Sequence, residues 1–145
     1  MEIGIELQGG DELTEKLGAV TAKIKDASTV SLIARAAYAV QRQAQLNATG
    51  RPGPNVQTGR LRASIATEIL NWDRARVGTD VFYAPFVEFG HIQHPGQFVP
   101  PLGLRLVKDF CPAYPFLYPS IEQCNEELQG ICVTFGNELK SEFTT

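Results

Sequence analysis

The apolar positions of the chain change period twice. Over residues 12–25 they recur at Leu13, Leu17, Val20 and Ile24, and over 28–47 at Ile33, Ala37, Val40 and Ala44. Spacings of three and four put each set on one helical face, so two helices are expected, with Asp11 and Ser28 as their N-caps. Beyond a glycine- and proline-rich stretch, "LRASIATEIL" alternates instead. Leu61, Ala63, Ile65, Thr67 and Ile69 fall on one side, and Arg62, Ser64 and Glu68 on the other. A period of two reads as a strand, "RVGTDVFYA" as its partner, and the polar "NWDRA" as the turn between them. From Pro119 the helical period returns at Ile121, Cys124, Leu128, Ile131, Phe135, Leu139 and Phe143. That predicts a C-terminal helix of about 25 residues, or ~37 Å. A short strand is also expected over residues 3–7, where Ile3, Ile5 and Leu7 alternate with smaller or polar residues.

These elements specify an α+β fold in a single domain, 1–145. Two N-terminal helices and a long C-terminal helix pack on a small antiparallel sheet, the hairpin 61–71 / 75–83. Two segments escape the pattern. "NATGRPGPNVQTGR" places Gly50, Pro52, Gly53 and Pro54 within one short stretch, which excludes regular structure. The 48–58 loop is expected to be mobile, because its few apolar atoms return less than the cost of ordering it. Deleting 51–55 is then expected to leave the core untouched. Residues 91–119 carry Pro95, Pro100, Pro101, Pro112, Pro115 and Pro119 and show little period. "PFVEFG" between the hairpin and that segment reads as one helical turn, opened by Pro85 and stopped by Gly90.

Composition changes the picture little. Apolar residues make up 43% and charged residues 20%, an ordinary globular balance. No apolar run approaches the roughly 18 residues of a membrane span. The N-terminus lacks the basic start and apolar run of a signal peptide, so a cytoplasm-like site of synthesis is expected. Cys111, Cys124 and Cys132 are odd in number, without zinc-like spacing, and read as buried free thiols. Charge is uneven beneath the net −3. Residues 51–76 hold five arginines against Glu68 and Asp73, while 77–145 are locally acidic. The acidic total disfavours a general nucleic-acid binder.

Candidate chemistry centres on "VGTDVFYAPFVEFGH". Glu88, His91 and His94 stand three apart and could ligate a metal on a helix, which gives an alternative reading as a small metal-binding or hydrolytic domain. Gly90 and Pro95 oppose a helix there, and no H-E-x-x-H pattern exists. There is no nucleophile elbow, and "GRPGPNVQTGR" lacks the lysine and hydroxyl residue that end a phosphate loop. No catalytic residue, metal or cofactor is therefore assigned. The structural reading makes Glu88 the pin of a corner. Tyr83, Phe86 and Val87 cover one end of the hairpin, Gly90 reverses the chain, and Glu88 pairs with Arg60 or Arg62.

Three blocks carry a resemblance: "TGRLRASI", "VGTDVFYAPFVEFG" and "PFLYPSIEQ". Their order and spacing, on Thr58, Gly59, Leu61, Ser64, Val77, Gly78, Tyr83, Ala84, Val87, Glu88, Phe89, Gly90, Pro115, Phe116 and Leu117, resemble the tail-component family of long-tailed bacteriophages. That family includes head–tail joining, neck, tail-completion and minor tail proteins. Here the segment between His91 and Tyr114 is longer than the family's, and Tyr118 and Ser120 replace the more usual arginine and alanine. The resemblance implies a non-enzymatic virion protein of the neck or tail, made in the host bacterial cytoplasm. It also implies rings, commonly of six or twelve copies, between a portal-side or head-closure protein and the tail tube or tail terminator protein. No membrane is implied. Arg51, Pro52, Gly53, Pro54, Asn55 and Arg60 are the expected interface residues, becoming ordered against a neighbouring copy or DNA.

Overall fold

The computed structural model describes residues 10–24, 27–100 and 103–143. The strand expected over residues 3–7 lies outside them. The two N-terminal helices form as the 3–4 spacing requires: α1 spans Gly10–Ile24 and α2 spans Ala27–Asn47. Both begin slightly ahead of the expected caps, within the ordinary fraying of a helix end. α2, about 31 Å long, is the floor of the domain, and the hairpin and the C-terminal helices rise from it as two walls.

The first departure from the sequence pattern comes after Gly59. The chain makes a single helical turn, α3 (Arg60–Ser64), before the strand begins. The alternation expected a strand from 61, but Leu61 and Ile65 are also one helical turn apart, so the short run satisfies either period. Gly59 decides it by taking φ 73° as N-cap, which lets Ala63 N–H reach the Gly59 carbonyl at 2.9 Å. Strand β1 is Ala66–Asn71 and β2 is Arg74–Gly78, paired antiparallel from Ala66↔Gly78 to Asn71↔Arg74 with a bulge between Ile69 and Asn71. The second strand stops at Gly78 rather than continuing to 83. There Thr79 turns its hydroxyl onto Ser64 (2.6 Å), and Val81 drops into the interior.

α4 (Ala84–Phe89) follows as expected. The proline-rich segment is not structureless. Strands β3 (His91–Ile92), β4 (Phe98–Val99), β5 (Leu104–Arg105) and β6 (Phe110–Cys111) pair as β3–β6 and β4–β5. Hydrogen bonds from Gln93 to Asp109, from Gly96 to Leu106 and from Leu106 to Gln97 join the two ladders. Residues 91–100 and 103–111 are thus the two sides of one two-stranded arm. Beyond it, α5 (Tyr118–Gln123) and α6 (Asn125–Phe143) divide the expected long helix at Cys124, although Cys124 N–H to Ser120 and Leu128 N–H to Cys124 carry helical bonding across the junction.

The closed core sits over the C-terminal half of α2. Ala44 and Ala48 meet Ile65, Ala84 and Phe116, with Leu61, Val77, Val87 and Leu117 around them. Alanines on α2 let both walls approach closely. Amide side chains then lock them: Gln45 Nε2 donates to the Ile65 carbonyl (3.1 Å) on one side and Asn47 Nδ2 to the Phe116 carbonyl (3.1 Å) on the other. Arg42 bridges to Glu127 in a fork of 2.7 and 2.8 Å. Both side chains are largely exposed, so this pair adds at most about 1 kcal/mol.

Candidate functional site

The three sequence blocks converge on one corner of the domain. α4 ends at Gly90, whose φ is 76°. A Cβ there would stand 2.7 Å from the Cys111 carbonyl oxygen and 2.9 Å from the Ala113 nitrogen, so glycine alone lets the two segments pass. Tyr114 N–H then donates to the Val87 carbonyl (2.8 Å) and draws the returning chain beneath α4. Glu88, 8% exposed, receives three backbone donors on its carboxylate: Phe116 (2.9 Å), Leu117 (3.1 Å) and Tyr118 (2.8 Å). Those N–H groups open α5 and have no partner within it. Each bond is charge-assisted, which offsets the cost of burying the carboxylate.

Glu88 therefore pins the corner, but its partner is not the expected arginine. Arg60 and Arg62 lie exposed on α3. Backbone donors at a helix start supply the positive potential without the desolvation of a guanidinium. This also separates Glu88 from the histidines. His91 Nδ1 lies 3.3 Å from the Phe86 carbonyl oxygen, its Nε2 lies 3.1 Å from Gln93 Nε2, and His94 is exposed on the arm. Among the described residues no three His, Cys, Asp or Glu side chains come together as a metal would require.

The remaining motif positions build the same corner. Leu61 and Leu117 pack on the core, Phe116 is buried, Ser64 bonds Thr79, and Gly78 ends β2. Tyr83 caps α4 and meets Phe82 edge-on at 5.4 Å. Pro115 is exposed just ahead of Phe116, while Phe89 stands exposed beside Glu88. In the loop, Gly53 and Pro54 are buried, and a Cβ on Gly53 would collide with the Asn47 carbonyl oxygen at 2.0 Å. The Arg51 guanidinium lies 3.8 Å from the centre of the Tyr114 ring. Pro52, Asn55 and Arg60 are exposed.

What the sequence reading missed is a groove. Over the N-terminal half of α2 the two walls do not meet. Ile33, Ala37 and Val40 form the floor of an open apolar trough of about 800 Å³, flanked by Val77 and Phe82 on one side and Ile121 on the other. The signal was present in the α2 stripe, but periodicity reports an apolar face without saying what covers it. The rim aromatics Phe82, Phe89 and Tyr118 are all exposed, as are Ile92, Phe98, Leu104, Val107 and Phe110 along the arm.

One family model matches residues 11–90, that described as "Bacteriophage HK97-gp10, putative tail-component". The match covers both N-terminal helices, the hairpin and α4, and ends at Gly90, where the arm begins. No curated protein and no solved structure matches. No described helix is long and apolar enough to cross a membrane.

Proposed function

The chain belongs to the HK97-gp10-like family of bacteriophage tail components, and on that premise we propose that it is a structural protein of the phage neck. Its copies close into a ring that joins the DNA-filled head, through the portal and head-closure proteins, to the tail tube or its terminator. The role is one of positioning and contact, without chemistry, and its place is the virion. The open trough and the exposed apolar side chains of its rim and of the arm carry this reading. A chain that leaves a trough open over its central helix and an apolar arm in water is stable and soluble at length only when neighbours cover both. The exposed residues of the 48–58 loop, Arg51, Pro52 and Asn55, together with Arg60, contribute to the contact with an adjacent ring or with the DNA that passes through.

Genetics tests this directly. A phage whose copy of the gene carries an early stop codon should accumulate filled heads and separate tails in electron micrographs. Complementation from a plasmid should restore joined particles. Intact infectious particles formed without the protein would overturn the proposal.

A further inference from the structure

The arm and the groove are two unpartnered apolar features of one molecule. The arm exposes Ile92 (80%) and Val107 (88%) almost completely, with Phe98, Leu104 and Phe110 half in water. Ile92 stands directly opposite Phe110 in the ladder, and Val99 opposite Leu104, so each pair presents joint apolar surface on one side of the ribbon. No described residue of 91–111 lines the groove of its own chain. Nor is the arm loosely hung. Gly90 and the Tyr114–Val87 bond clamp its base, and Glu88 fixes the segment that follows, so the corner sets the direction in which the arm leaves the body.

Resting on the ring reading above, we infer that the arm of one copy seats its apolar side chains in the α2 groove of the next. A contact between two different faces of the same chain is heterologous, the kind that builds a ring when its rotation closes. The helix α1 is the competing occupant, since its Leu17 is also exposed. It offers a single large apolar side chain among those described, whereas the arm offers a rigid ribbon of them.

Full-length protein with Cys132→Ser as background tests the contact. Val107→Cys is made with one affinity tag and Ile121→Cys with another, and the two are mixed and oxidised while native mass spectrometry reads the assembly state. The expected result is a disulfide-linked species bearing both tags. Leu17→Cys, mixed with Ile121→Cys in parallel, should give none. A species from Leu17 and none from Val107 would hand the groove to α1 and overturn the inference. So would absence of both species, or a Val107→Cys/Ile121→Cys double variant that links only within its own chain. In each of these cases a ring seen by native mass spectrometry, or unjoined heads in the stop-codon phage, leaves the neck proposal standing. Val107→Asp supplies a second readout. It should raise the concentration needed for assembly at least tenfold with no change in the monomer's melting temperature, because nothing in the monomer packs on Val107.

Discussion

At position 88 the side chain answers three donors at once, and the amide of glutamine can answer only on its oxygen. Glu88→Gln keeps the shape but turns an NH₂ toward backbone N–H groups inside a closed corner. A stability loss of about 1–3 kcal/mol is expected in urea melts, and Glu88→Ala should cost more. Arg60→Ala and Arg62→Ala should change nothing measurable there. Gly53→Ala tests a different kind of tightness. Its Cβ meets the Asn47 carbonyl at 2.0 Å, so the end of α2 must move, at a cost of about 2 kcal/mol or more. Thiol chemistry separates the cysteines. Burial, and then Glu127, push the Cys124 thiol up while Arg42 draws it back down, so at neutral pH little of it is thiolate. Against the expectation of three buried thiols, only Cys124 is buried; Cys111 is partly exposed, and Cys132 lies on the outward side of α6, exposed. A thiol reagent should label Cys132 within minutes and Cys124 only as the protein unfolds.

Among the elements, long periodic runs were the legible ones. α1, α2 and the C-terminal helices were readable because their stripes repeat over several turns, and the β1–β2 hairpin because a polar turn divides two alternating runs. Boundaries failed where a run was too short to choose a period, as at Leu61–Ile65, and where a glycine ended a strand, as at Gly78. The arm was illegible for a physical reason. Its strands are held by a partner across the ribbon, while Pro95, Gly96, Pro100 and Pro101 break the alternation that would announce them. Glu88 was marked by its isolation among apolar residues, but its partner is backbone, which leaves no trace in residue identity. The 48–58 loop also needs revision at this scale. Since Gly53 and Pro54 are buried and Arg51 lies on Tyr114, deleting 51–55 should lower the melting temperature by several degrees rather than leave it unchanged. Replacing residues 92–110 by a short glycine turn should do the opposite: the monomer melts within a few degrees of the parent, and assembly is lost.

For the whole molecule, the unfilled trough and the bare arm mean that folding and assembly share one apolar account. Unfolding a compact chain of this length raises the heat capacity by about 1.7–2.2 kcal/mol/K. A monomer that leaves the trough and the arm's apolar side chains in water should fall below that range in calorimetry. The missing increment should return, with negative sign, when copies associate. Apolar association of that kind weakens on cooling. The ring should therefore be cold-labile, assembling readily at growth temperature and shedding copies near freezing, and particles stored on ice should come apart at the neck before they do anywhere else.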